Sequence, residues 1–333
     1  MSRAALLSFS AKGADTAALI AHGLGEGWQA QCYAPKGNLK QLTGELFPTV
    51  DALIFVGACG IAVRAIAPYI VSKTSDPAVL VVDERGKNVI SLLSGHIGGA
   101  NQLARVVAGI TGGSAVITTA TDVNDRFAAD EWAARHGLDI ADMAAAKRFS
   151  ADILGRDLPL RSDFAIEGDL PHGLFLGEGG ERGLAITYST ARPFDDTLRL
   201  IPHVVHVGVG CKRGTPAQNI TEAIEIALNE NGIDKSALCA MASIDIKRDE
   251  AGLNEAAQAL NLPLSFYSAN ELNAVPGEFT ASQFVKQITG VDNVCERAAA
   301  LSAGDGAEII VRKMSRNGVT VALALKKWSV SFE

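Results

Sequence analysis

Residues Ser91–Ala104, SLLSGHIGGANQLA, place one of the chain's six histidines between a strand-like run and a helix-like one. His96 is flanked by Gly95 on one side and by Gly98 and Gly99 on the other. An imidazole that titrates near pH 6.5 can give or take a proton at neutral pH, which is what a general acid or base must do. The glycines allow a tight corner and leave backbone N–H groups that could hold a developing oxyanion. DERG, just upstream, offers Asp83 and Glu84 as carboxylates that could orient the ring. A capping or packing histidine would use the same residues. Ser94 shares the corner as a substrate-contact candidate, but Leu92 stands where a nucleophile elbow needs glycine, so no serine-hydrolase triad is indicated.

Other corners carry residues suited to anions. In FVGACGIAVRAIAP, Gly57 and Gly60 lie between a strand and a helix, and Arg64 follows within about a turn. Backbone N–H groups at such a helix start attract phosphate or carboxylate, and a guanidinium can clamp a carboxylate with two prongs. Close packing alone also explains glycines there. TTATD supplies Thr119 and Asp122, able to orient a ligand or a histidine, or simply to cap the next helix. VGVGCKRGTP is the densest anion signal: Gly208, Gly210 and Gly214 surround Cys211, Lys212 and Arg213, with Thr215 as an N-cap and Pro216 at the first helical position. Two adjacent cations could also lower the Cys211 pKa toward a reactive thiolate. Lys247, Glu250 and Glu296 are acid–base candidates that solvated helix caps would equally explain.

Each corner requires a strand before it and a helix after it, and the hydrophobic periodicity supplies both. RAALLSFS, DALIFVG, AVLVVDERG, NVISLLSG and SAVITTATD read as strands; KGADTAALIAHGL, GIAVRAIAPYI and GANQLARVVAGIT read as helices between them. Continuous apolar runs such as DALIFVG suit strands covered on both faces. Residues 1–135 are therefore expected to form an α/β domain with a doubly wound, mostly parallel sheet. Ligands of such sheets sit beyond the carboxyl ends of the strands, where His96 is expected. Residues 136–203, broken by Gly and Pro clusters, are expected to form a small α+β middle segment. Residues 204–333 return to alternation as a second α/β domain, and Asn317-Gly318 marks a hairpin near its end.

Composition narrows the function. A chain of 333 residues with 48% hydrophobic and 20% charged residues has the make-up of a soluble protein of two or three cores. The net charge of −7, without any long Lys/Arg block, argues against nucleic acid as a partner. No uninterrupted apolar stretch reaches the roughly 18 residues of a membrane span, and no signal-peptide pattern opens the sequence, so no membrane contact and a cytoplasmic location are expected. The five cysteines are dispersed with no C-x-x-C, which indicates neither a disulfide framework nor a protein metal site.

GIAVRAIAPYIVSKTSDPAVLVVDERGKNVISLLSGHIGGANQLA with VITTATD, then VGVGCKRGT, ASIDIKRDE, NLPLSFYSANEL and TGVDNVCERAAAL, closely resemble the CbiG family of cobalamin-biosynthesis proteins. The resemblance runs over almost the whole chain, and residues 204–333 are similar to the stand-alone corrin-pathway protein CobE. It implies a hydrolase that opens the ring-A δ-lactone of cobalt-precorrin-5A and releases acetaldehyde, giving cobalt-precorrin-5B. Cobalt arrives inside that substrate, so no cofactor is expected. On this view His96 carries a proton with Asp83 or Glu84 behind it. Gly57, Gly60, Arg64, Ser94, Gly95, Gly98, Gly99, Thr119, Asp122, Gly210, Cys211, Lys212, Arg213 and Glu296 contact the many-armed acidic macrocycle. A homodimer and transient contact with neighbouring pathway methyltransferases are further expectations. Two alternatives remain: a non-catalytic tetrapyrrole carrier of the same pathway, and a Rossmann-like nucleotide enzyme, which the lack of a full G-x-G-x-x-G or P-loop disfavours.

Overall fold

The apolar runs form strands and the periodic segments form helices in the computed structural model, which describes residues 1–72 and 75–332. The chain divides into two units, Met1–His136 with Ser150–Arg156, and Gly137–Phe149 with Asp157–Glu333. The α/β class and the parallel-rich sheets are those expected.

The first unit runs β1 (Ser2–Ser8), α1 (Ala11–Gly23), β2 (Trp28–Tyr33), α2 (Leu39–Leu46), β3 (Ala52–Val56), α3 (Cys59–Ile66), β4 (Ala78–Val82), β5 (Asn88–Leu93), α4 (Ala100–Thr111), β6 (Ser114–Val116), α5 (Ala120–Val123) and α6 (Ala129–His136). Its sheet has the order β2-β1-β3-β4-β5-β6. Every residue of β3 and β4 is buried because helices cover both faces. Leu6, Ile54 and Leu80 pack with α1 and α4 on one side, and Leu7, Phe55 and Val81 pack toward α2 and α3 on the other. Each such side chain contributes about 1.5–3 kcal/mol of burial.

One pair in this sheet is antiparallel, β4 with β5; the other pairs are parallel. The Asp83–Lys87 connection is too short for a crossover helix, so the chain must fold straight back. Asp83 holds that reversal by accepting N–H bonds from Arg85 at 2.8 Å and Asn88 at 2.6 Å. The consequence corrects the expected layout. β5 and β6 end at the edge where β1, β3 and β4 begin, so His96 lies across the sheet from Gly57, Gly60, Arg64, Asp83 and Glu84.

The second unit adds β7 (Asp139–Ile140), α7 (Met143–Asp152, shared with the first unit), β8 (Leu158–Ser162), β9 (Ala165–Glu167), β10 (Leu174–Leu176), β11 (Arg182–Ile186) and β12 (Asp196–Ile201). These give a five-stranded sheet, β10-β8-β11-β12-β7. It then continues as β13 (Val205–Cys211), α8 (Ala217–Glu230), β14 (Leu238–Ile244), α9 (Ala251–Ala259), β15 (Leu264–Tyr267), α10 (Ala269–Ala274), α11 (Gln283–Thr289), α12 (Val294–Ala303), β16 (Glu308–Arg316), β17 (Val319–Leu325) and β18 (Ser329–Ser331). The C-terminal sheet has the order β15-β14-β13-β17-β16, with β18 pairing β9 separately.

In this C-terminal sheet α8 and α9 bury Val205, Val207 and Val209, while α12 lies on the opposite face against Ala242 and Ile244. Gly208 is required by that second contact, since any Cβ would run into the α12 backbone at Cys295. The Asn317-Gly318 hairpin forms as expected, with φ of 49° and 81°. Among the described residues no helix is long and apolar enough to cross a membrane.

Candidate functional site

His96 sits on the loop from β5 to α4 and is held at both ring nitrogens. Nδ1 lies 3.3 Å from Asp130 Oδ1, at the start of α6. Nε2 lies 3.5 Å from Asp122 Oδ2 and 3.2 Å from Thr121 Oγ1, both on α5. Asp122 in turn accepts from Thr119, from Arg105, and from Asn101 Nδ2 at 3.0 Å. Asn101 is buried on α4 and its amide oxygen accepts from Ser91 at 2.7 Å, which ties β5, α4 and α5 into one network. Local backbone geometry makes the corner possible. Gly99 caps α4 with φ 78°, and a Cβ on Gly98 would collide with Ser94, which itself has φ 59°. A Cβ on Gly95 would come within 2.8 Å of Asn101 Oδ1. Close packing thus accounts for Gly95 and Gly98. Among the described residues the buried Ser94 hydroxyl has no hydrogen-bond partner.

The charges around the ring decide its protonation. The hydrogen bond to Asp130 raises the His96 pKa; burial pulls it down, and the charges of Asp130, Glu131 and Asp122 add to the rise. The net shift is toward the imidazolium form. Burial would push the Asp122 and Asp130 carboxyls up, but Thr119 and Arg105 in the first case, and His96 in the second, outweigh it and hold both below the ordinary range. Burial and the Asp122 charge push Glu131 the other way, upward. His96, Gly98, Gly99 and Glu131 line a cavity of about 380 Å³. Ligand atoms of His96, Asp122 and Glu131 lie within 4.8 Å of one another, the reach of a small cation. There Arg105 already sets a guanidinium against both Asp122 and Glu131.

Thr119 and Asp122 therefore join His96, whereas the carboxylates expected to orient it do not. Asp83 is spent on its own turn, and Glu84 accepts from Ser10 at 2.5 Å. The groups that do orient His96 are Asp130 and Asp122. Asp130 and Glu131 lie in FAADEWAARH, a stretch that sequence reasoning did not single out, and two acids at a helix start carry no spacing that marks them as functional. Across the sheet, a Cβ on Gly57 would press on the Phe9 ring, and Arg64 Nη1 donates to Gly60 O at 3.1 Å within its own helix.

In the second unit the corner after β13 opens on a cavity of about 610 Å³. Gly210, Cys211, Lys212 and Arg213 line it, together with Lys247 from the 3₁₀ turn after β14 and Lys313 from β16. Ile246, Phe284 and Ile288 give it an apolar wall that is largely exposed. Among the described residues Lys212, Arg213 and Lys313 have no acidic partner within 4 Å, while Lys247 pairs with Glu250 at 3.6 Å. Unneutralised cations beside an apolar wall suit a large anionic ligand with a hydrophobic body.

Four expectations change in this corner. Thr215 donates to Lys212 O rather than capping α8, whose N-cap is Pro216. Burial raises the Cys211 pKa, with Lys247 only partly offsetting it, so no reactive thiolate is favoured. Glu250 is buried, taking the Gly214 N–H at 3.0 Å. Glu296 is fully buried and its oxygens are filled by the protein: Thr280 N at 2.9 Å, Thr280 Oγ1 at 2.7 Å and Lys313 N at 2.8 Å. It clamps α12 to β16 and is shut off from a ligand.

Comparison with known proteins fits both halves. Residues 41–122 match the family described as cobalamin synthesis G N-terminal, and residues 205–324 match cobalamin synthesis G C-terminus. The chain is 34% identical over 308 residues to a cobalt-precorrin-5A hydrolase of Salmonella typhimurium, covering 87% of this chain and 86% of that protein. It is 33% identical over 309 residues to one of Priestia megaterium, covering 87% and 82%. Protein CobE of a Sinorhizobium species is 36% identical over 119 residues, which is 35% of this chain and 77% of CobE. From its two matching halves and its near full-length relatives, the chain belongs to the cobalamin synthesis G family.

Proposed function

We propose that this protein is a cobalt-precorrin-5A hydrolase of cobalamin biosynthesis, opening the ring-A lactone and releasing acetaldehyde to give cobalt-precorrin-5B. The observation that carries this reading is His96, bracketed by Asp130 and Asp122 at the wall of a cavity. An imidazolium there gives its proton to the alkoxide as the lactone C–O bond breaks. Once neutral, it takes back the proton of that alcohol while the C–C bond breaks, acetaldehyde leaves, and the macrocycle accepts the electron pair. The relatives' names support the same activity.

The cavity of the second unit suits the substrate's acetate and propionate arms through Lys212 and Arg213, with the macrocycle face against Ile246, Phe284 and Ile288. Cobalt enters as part of the substrate, and the protein supplies binding and proton transfer. A cytoplasmic homodimer that meets pathway methyltransferases in passing completes the proposal. Similarity to CobE favours a second reading, a carrier without turnover. Incubation of the pure protein with cobalt-precorrin-5A under anaerobic conditions, with acetaldehyde trapped as a hydrazone, separates the two. Stoichiometry above one acetaldehyde per protein supports the hydrolase; tight binding with none released supports the carrier.

A further inference from the structure

Lactone hydrolysis needs a proton removed from water as well as one delivered to the leaving oxygen, and one imidazole cannot do both in the same step. Several charged groups face His96 or the cavity beside it: Asp122, Asp130, Glu131 and Asp51, with Arg105 and Arg135. Asp130 is bound to Nδ1. Asp122 is filled by Thr119, Asn101 and Arg105. Asp51 accepts the Arg3 N–H at 2.7 Å. Glu131 is different. It lines the same cavity as His96, and an oxygen of its carboxylate comes within 4.8 Å of a His96 nitrogen. Among the described residues no hydrogen bond reaches that carboxylate, and its one ion pair within 4 Å is Arg105 at 3.7 Å.

We propose that Glu131 is the second catalytic group of this corner, the base that takes a proton from the attacking water while His96 protonates the departing oxygen. The inference rests on the hydrolase reading. Water oxygen bonds to the lactone carbonyl carbon, and the water proton passes to Glu131. The acyl C–O bond then breaks and its alkoxide receives the His96 proton, leaving a carboxylic acid and an alcohol. Charge balances: Glu131 ends neutral and His96 ends neutral. Its upward-shifted pKa suits Glu131 to this duty, because a stronger base takes a proton from water more readily.

The test is Glu131→Gln, which keeps the shape and removes the basicity. Acetaldehyde release at saturating substrate should fall about 10²- to 10⁴-fold with KM little changed, the usual worth of a positioned base. Unreacted lactone, not the opened alcohol, should accumulate by mass spectrometry, and the acid limb of the kcat–pH profile should disappear. Glu131→Asp, which keeps a carboxylate, should recover part of the rate and the acid limb; a merely structural role would not restore that limb. Wild-type-like turnover with both pH limbs in Glu131→Gln would overturn this inference alone. Absence of acetaldehyde from wild-type protein would overturn the hydrolase reading and this inference with it.

Discussion

Replacing Asp130 by Asn tests whether this carboxylate sets the charge of His96. The two side chains are 11% and 21% exposed, so solvent screens them little, and their contact at 3.3 Å is a charge-assisted hydrogen bond. Such bonds are worth about 1.5–3 kcal/mol, and a neutral amide oxygen can retain roughly half of that, so the variant should lose about 0.8–1.5 kcal/mol. The pH dependence follows from the directions of the shifts. A raised His96 pKa gives stability that is complete below its unfolded value near 6.5 and is lost as pH rises through the folded value. A lowered Asp130 pKa gives stability present above about 3.8 and lost as pH falls through the folded value. The difference between wild type and variant should therefore peak at about pH 5–6 and shrink by about pH 9. Urea unfolding at both pH values measures it, and NMR titration of the His96 ring should show a lower midpoint in Asp130→Asn. An unchanged midpoint would refute Asp130 as the partner that charges the ring.

Two further outcomes concern the second unit. Glu296→Ala removes a fully buried carboxylate and leaves its three donors without an acceptor, with the Arg312 pair at 3.6 Å also lost, and should cost about 3–5 kcal/mol in denaturant unfolding. Lys212→Ala and Arg213→Ala should each raise KM by roughly 5- to 30-fold, for about 1–2 kcal/mol of charge-assisted contact, with kcat little changed. The effect should weaken as ionic strength rises, which steady-state kinetics in added salt will check.

The α/β alternation was legible because strands such as DALIFVG bury both faces and leave no polar residue to blur the run. The direction of β5 was written in the short connection DERGK, yet two adjacent apolar runs in an α/β pattern read as parallel neighbours unless the connection length is weighed. That single reversal moved His96 away from Asp83 and Glu84. Asp130 and Glu131 were hidden for another reason. Their role depends on α6 packing beside the β5–α4 loop, a tertiary fact that leaves no local spacing, and helix-start acids are common without function. Thr119 and Asp122 were legible because β6 runs parallel to β5, so successive strand ends share an edge. Glu296 looked like a cap, and burial, which sequence spacing does not report, made it a clamp.

The role of His96 is tested most directly by the rate of acetaldehyde release from cobalt-precorrin-5A, at saturating substrate, by His96→Gln against wild type. A fall of about 10²-fold or more, with the folded state and KM retained, is the predicted result. Equal rates in the two proteins would contradict proton transfer by this imidazole.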